Sequence, residues 1–162
     1  MSQFRIRESQ SGNETVIEIE NQGDMRIVLS DLGACLRSCV RQGRELTLGY
    51  ADAGMYRSNQ LFLGATIGRY ANRIARGNCQ VNGTQFKLAC NNGPNHLNGG
   101  LEGFHQRHWD HRVVECSLDS SDRGTVAVAG VLFSLRSPDG DQGYRGSLDA
   151  KVAILLSADN QL

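Results

Sequence analysis

An excess of charge of one sign is missing from this chain: seventeen Lys and Arg balance seventeen Asp and Glu over 162 residues. No net field therefore draws it to nucleic acid or to an anionic membrane surface. Long apolar runs are also missing, and none approaches the length of a membrane span. The first residues, Met1-Ser2-Gln3-Phe4-Arg5-Ile6-Arg7, are polar and lack the apolar stretch of a signal peptide. The cysteines, Cys35, Cys39, Cys79, Cys90 and Cys116, are odd in number and show no paired spacing. Such a set reads as free thiols in a reducing compartment rather than a disulfide framework. No segment carries a long, capped helical period. These absences predict a soluble, cytoplasmic protein, and the length fits one domain over residues 1–162.

What the chain does contain is short strands punctuated by turns. Thr15-Val16-Ile17-Glu18-Ile19-Glu20 alternates with period two, and Met25-Arg26-Ile27-Val28-Leu29 does so more loosely, with a turn at Asn21–Asp24 between them. Cys79–Val81 and Thr84–Leu88 flank Asn82-Gly83, the strongest short hairpin signature. Val126 to Arg136 and Ser147 to Leu156 form a longer pair joined by a glycine-rich loop from Asp139 to Gly146. The pattern predicts an all-β architecture, two antiparallel sheets packed as a sandwich. Lys151–Leu156 reads as a strand and Ser157–Asn160 as a turn, but no return strand follows. An unpaired edge is expected there, with self-association through it as one consequence.

Two runs carry the chemistry. Gly68-Arg69-Tyr70-Ala71-Asn72-Arg73-Ile74-Ala75-Arg76-Gly77 sets three arginines among small and apolar residues. An arginine so placed offers five donors in a planar fork, suited to vicinal hydroxyls or carboxylates. Asn91-Asn92-Gly93-Pro94-Asn95-His96-Leu97-Asn98-Gly99-Gly100 follows, dense in amides and in glycines that let a backbone approach a ligand. Either run alone reads equally as a structural turn cluster; the two together fit recognition of a polyol.

The runs resemble the aldose 1-epimerases, also called galactose mutarotases. The matching residues are Gly64–Gly77, Asn91–Asn95, Gly99-Gly100 with Gly103-Phe104 and Trp109, then Phe133-Ser134 and Ser137–Gly146. The resemblance implies that family's large antiparallel β-sandwich, of which residues 1–162 would be an amino-terminal portion. It also implies an activity: interconversion of the α and β anomers of free aldohexoses such as galactose or glucose. Ring opening needs a base for the anomeric hydroxyl, an acid for the ring oxygen, and donors that hold the sugar. No metal or organic cofactor is required.

Residue by residue, Asn72 and Arg73 match the family's sugar-binding Asn-Arg pair, and Arg69 is expected to be a structural ion-pair partner. Family members usually read Leu-His-Gly-Gly where this chain has Leu97-Asn98-Gly99-Gly100. Asn98 keeps a hydrogen-bonding side chain for the sugar but has no proton to exchange near neutral pH. His96 lies two residues earlier and, if the segment is extended, shares a face with Asn98, which makes it the candidate catalytic residue. The other reading of His96 is a histidine beside a turn. The family's Asn-His-x-Tyr-Phe-Asn-Leu type motif, with its acid histidine, and its glutamate base do not occur in residues 1–162. The alternatives are therefore a non-catalytic sugar-binding or regulatory protein, or an inactive fragment.

Other constellations lead elsewhere. His105, His108 and His111 recur every third residue with Cys116 beyond, but that step scatters side chains over both faces of a strand, so no metal site is expected. Asp139 and Asp141 with Glu102 suggest a glycosidase-like carboxylate pair, but the two aspartates sit where a turn favours Asp for backbone hydrogen bonding.

Overall fold

The computed structural model describes residues 2–122 and 124–162. Its first five strands, β1 (Phe4–Ser11), β2 (Glu14–Asn21), β3 (Met25–Ser30), β4 (Cys35–Arg41) and β5 (Arg44–Glu45), form one antiparallel sheet in chain order. Two short pairs follow: β6 (Arg73–Ile74) with β9 (His96–Leu97), and β7 (Asn78–Val81) with β8 (Thr84–Lys87). The last three strands, β10 (Asp110–Ser120), β11 (Gly124–Ser137) and β12 (Leu148–Ser157), make a second antiparallel sheet. Apart from strands, the described residues show only short 3-10 turns as regular structure.

Period-two patterning decides which sheet faces meet. In β2, Ile17 and Ile19 are fully buried and stand opposite Leu29 and Ile27 of β3, also fully buried. They share one core with Val131, Phe133 and Leu135 of β11 and Leu156 of β12, so the two sheets close on each other as a β-sandwich. Each such side chain contributes roughly 1.5–3 kcal/mol by leaving water. The β7–β8 hairpin turns at Asn82 (φ 50°) and Gly83 (φ 79°), the left-handed pair that a two-residue hairpin needs. Glu14, at the head of β2, is ion-paired with Arg37 of β4 out of solvent, and Arg37 lies 4.5 Å over the Tyr56 ring.

Among the described residues β12 pairs only with β11. The turn after it is fastened to the first sheet: Asn21 Nδ2 donates to the Ser157 carbonyl and to Asn160 Oδ1, both at 2.9 Å. Two core aromatics anchor the segment that carries the second run. Trp109 Nε1 donates to the Phe104 carbonyl at 3.1 Å, and the two rings meet edge to face at 5.6 Å. Phe104 in turn presses on Gly68, where an added Cβ would lie 2.1 Å from the ring. Gly99 (φ 91°) comes so near that its Cβ would sit 1.6 Å from the Gly68 carbonyl oxygen. These two glycines bring the arginine-bearing and amide-bearing runs into direct backbone contact.

Candidate functional site

The arginine-bearing run is hung from the first sheet by Leu36 N to Gly64 O and Thr66 N to Gly33 O, each 2.9 Å. Arg69 then leaves the wall and enters the Ser137–Gly146 loop. Its Nε donates to Ser137 Oγ (2.8 Å), Nη1 to the Gly146 carbonyl (2.7 Å), and Nη2 to the carbonyls of Ser137 (2.9 Å) and Pro138 (2.8 Å). The expected structural role stands, but not the expected ion pair. A cage of loop carbonyls holds the guanidinium because the loop turns its backbone acceptors inward.

Asn72 and Asn98 lock the wall together. Asn72 N donates to Asn98 Oδ1 at 2.7 Å, and Asn98 N returns a bond to the Asn72 carbonyl at 3.1 Å. Both residues have left-handed backbones, φ 71° and 49°, a conformation asparagine tolerates better than most side chains. Asn72 Oδ1 accepts from Arg73 N at 2.9 Å and lies 3.5 Å from Arg73 Nη1. Arg73 Nε donates to Asn92 Oδ1 at 2.9 Å. Two amides, Asn92 and Asn72, thus hold an exposed guanidinium that has no carboxylate partner among the described residues, and Asn98 fixes Asn72 in turn. The structure brings Asn72, Arg73 and Asn98 into one cluster, and adds Asn92, which sequence reasoning had not singled out from its neighbours.

His96 is placed differently. The strand ends at Leu97 because Asn98 turns left-handed, so His96 and Asn98 do not share an extended face. His96 is fully buried, with Nδ1 2.8 Å from the Ala89 carbonyl and Nε2 2.6 Å from the Tyr144 hydroxyl. A carbonyl can only accept, so Nδ1 carries the proton and Nε2 accepts from Tyr144. Burial pushes the Tyr144 hydroxyl up to about 12, which keeps it a donor. Neither ring nitrogen of His96 is left for a ligand. Asn91 is a further structural residue: its side chain accepts from Leu97 N (2.7 Å) and donates to the carbonyls of Leu97 and Gly100 (2.9 Å each), extending the wall like a strand.

The three evenly spaced histidines diverge. His105 is buried, His108 lies 3.5 Å from Asp31 Oδ2, and His111 lies 3.6 Å from Glu8 Oε1. No group of three His, Cys, Asp or Glu side chains converges among the described residues. Asp139 accepts from Gly146 N, and Asp141 accepts from Ser137 Oγ and from Arg107 Nη1 at 2.8 Å, so both carboxylates hold the loop. All five cysteines are free, and burial raises the Cys35 thiol to about 12.

The β-sandwich thus presents an exposed guanidinium held by amide side chains, and comparisons with known proteins place the chain in a family. Residues 15–162 match the family model for aldose 1-epimerase. The chain is 39% identical over 151 residues to the aldose 1-epimerase of Haemophilus influenzae, covering 91% of this chain and 40% of that protein. It is 37% identical over 152 residues to the galactose mutarotase of Sus scrofa, covering 90% and 41%. Among solved structures, galactose 1-epimerase from Lactobacillus acidophilus superposes with a TM-score of 0.80 at 26% identity, over 96% of this chain and 45% of that one. An aldose epimerase homologue from C. elegans gives 0.69 at 30% identity, over 89% and 42%. The chain belongs to the aldose 1-epimerase family. It spans about two fifths of the length of the curated relatives it matches.

Proposed function

We propose that residues 1–162 supply the sugar-holding wall of an aldose 1-epimerase that interconverts the α and β anomers of free aldohexoses. The observation that carries this reading is the state of Arg73: exposed, fixed at Nε by Asn92, flanked by Asn72, and without a counter-charge among the described residues. Its Nη atoms are then oriented donors for adjacent hydroxyls, and the Asn98 amide group adds a donor beside them. Holding the hexose in one pose removes much of the entropic barrier to ring opening and closing. His96 serves as a buried support for the β6–β9 pair, because both its nitrogens are engaged. The proton-transfer groups come, in this reading, from polypeptide outside residues 1–162. Relatives named galactose mutarotase and galactose 1-epimerase make galactose the first sugar to test. The free thiols fit a reducing cytoplasm.

A second reading, sugar binding without catalysis, is favoured by Asn98 standing where the family has histidine. Calorimetric titration with D-galactose and polarimetry on fresh α-D-galactose separate the two. Binding that Arg73→Ala weakens at least about tenfold supports the wall, since a hydrogen bond to a charged group contributes about 1.5–3 kcal/mol. Acceleration of mutarotation above the spontaneous rate by the 162-residue chain alone would mean that a working acid–base pair lies within it. Unchanged affinity in Arg73→Ala would remove the assignment altogether.

A further inference from the structure

Beside the wall, a cleft of about 410 Å³ opens between residues 58–62, the Asn91–Asn92 step and the 3-10 turn Phe104–Gln106. Its size falls toward the lower end of small-molecule sites, about 300–1,000 Å³. No Asp, Glu, Lys or Arg lines it; the side chains include Gln60, Asn91, Asn92 and Gln106, with Phe62 and His105 among them. A phosphate, carboxylate or metal ion entering here would lose its hydration and meet no opposite charge. Hydroxyls would meet the Gln60 and Gln106 amides and Asn92 Nδ2, while Asn91 keeps its amide hydrogens on Leu97 and Gly100.

His105 is the anomaly in this cleft. It is 5% exposed, and its Nδ1 is sealed from solvent with no hydrogen-bond partner. Nε2 has none either among the described residues. Buried imidazoles are normally paired, as His96 is at both nitrogens. Nδ1 faces the backbone: a Cβ added at Gly103 would lie 2.9 Å from it and 2.5 Å from the Asn98 carbonyl oxygen. Nε2 is therefore the ring nitrogen a ligand can reach. Phe62 stands against the imidazole edge to face at 4.7 Å, fixing its plane and offering apolar surface to the C–H face of a sugar ring. Burial lowers the His105 pKa from its usual 6.5, so the ring is neutral at pH 7, with one N–H and one lone pair.

We propose that this cleft binds a neutral polyhydroxylated ligand of about pyranose size, one hydroxyl of which hydrogen-bonds to Nε2 of His105. It is a second hydroxyl-binding site, separate from the contacts assigned to Arg73. Asn92 joins the two, since it lines the cleft while its Oδ1 holds Arg73 Nε. Occupancy of the cleft would steady Asn92 and, through it, the guanidinium.

Methyl β-D-galactopyranoside, whose anomeric centre is locked, is the probe. Long-range ¹H–¹⁵N spectra of the labelled 162-residue chain follow the His105 ring and the Arg73 side chain during its titration. The expected result is a saturable displacement of the His105 Nε2 resonance that persists in Arg73→Ala. In calorimetry, His105→Phe, which keeps an aromatic edge against Phe62, lowers cleft affinity about tenfold. An unmoved Nε2 resonance overturns the proposal, and if Arg73 resonances shift in that experiment the wall reading survives without it. A His105 response with Arg73 silent supports the cleft and removes the wall. Because the wild-type titration decides by itself, a His105→Phe chain that fails to fold leaves the test intact.

Discussion

Tyr144→Phe tests the assignment of His96 as a support rather than a reacting group. The change removes one oxygen from a bond of 2.6 Å between groups that are 8% and 0% exposed. His96 Nδ1 must keep its proton for the Ala89 carbonyl, so Nε2 is left as a buried acceptor with no donor. That loss costs about 1–3 kcal/mol. For a chain of this size each kcal/mol lowers Tm by roughly 2–4 °C, so a fall of about 2–12 °C is expected. Trp109, the single tryptophan and 2% exposed, reports unfolding by its fluorescence in urea. Galactose affinity stays unchanged, because the lost hydroxyl meets His96 and the Tyr70 backbone and not the Arg73 guanidinium. His96→Leu combined with Tyr144→Phe should lose less than the sum of the single changes, since the double variant no longer strands a buried imidazole nitrogen. An unshifted unfolding midpoint together with an altered pH–rate profile for sugar conversion would refute the reasoning. The Tyr144 bond would then be tuning a proton-transferring imidazole.

Three further outcomes are expected. Gly99→Ala forces a Cβ to 1.6 Å from the Gly68 carbonyl at a φ of 91°, so a loss above about 3 kcal/mol or failure to fold is predicted; a urea midpoint within about 1 kcal/mol of wild type would mean that the two runs do not touch as described. Alkaline pH should destabilise the fold, because burial raises Cys35 from its ordinary 9.0, and Tyr144 from its ordinary 10.0, to about 12 in both cases. With folded-state pKa values above the unfolded ones, this stability is complete below pH 9 and is lost as pH rises from there toward 12; a urea midpoint flat to about pH 11 contradicts it. Finally, the edge of β12 that pairs with no strand among the described residues carries Val152–Leu156 without a charge, and Ala153 is exposed on it. Any concentration-dependent association seen by sedimentation should weaken in Ala153→Lys, and association unaffected by that lysine would place the contact elsewhere.

The fold was legible where the physics is local. Asn82-Gly83 specifies its own left-handed turn, and the alternation at Ile17 and Ile19 needs only a facing sheet to become core. The site was legible to the extent that its residues act through their own backbone: Asn72 and Arg73 are adjacent, and Asn72 Oδ1 caps Arg73 N. Illegible were the roles set by partners distant in the chain. His96 depends on Tyr144, forty-eight residues on, and Arg69 on the carbonyls of a loop sixty-eight or more residues on. Neither partner advertises the pairing, since a tyrosine or a loop carbonyl can be satisfied in many ways. Within the amide run, Asn91, Asn92 and Asn95 read alike, and only the turn decides that Asn91 faces Leu97, Asn92 faces Arg73 and Asn95 accepts from Arg76 N.

That division explains how the wall is built. The arginine that looks most constrained by its neighbours, Arg69, is consumed by structure, while Arg73, exposed but held at Nε by Asn92, keeps its Nη donors. An exposed arginine alone would be mobile and would lose rotamer entropy on meeting a ligand. Asn92 and Asn72 remove part of that loss in advance, and they can do so only because Gly68 and Gly99 let the two runs touch. The backbone contact between those two glycines thus links the sandwich core, through Phe104, to the orientation of a guanidinium at the surface.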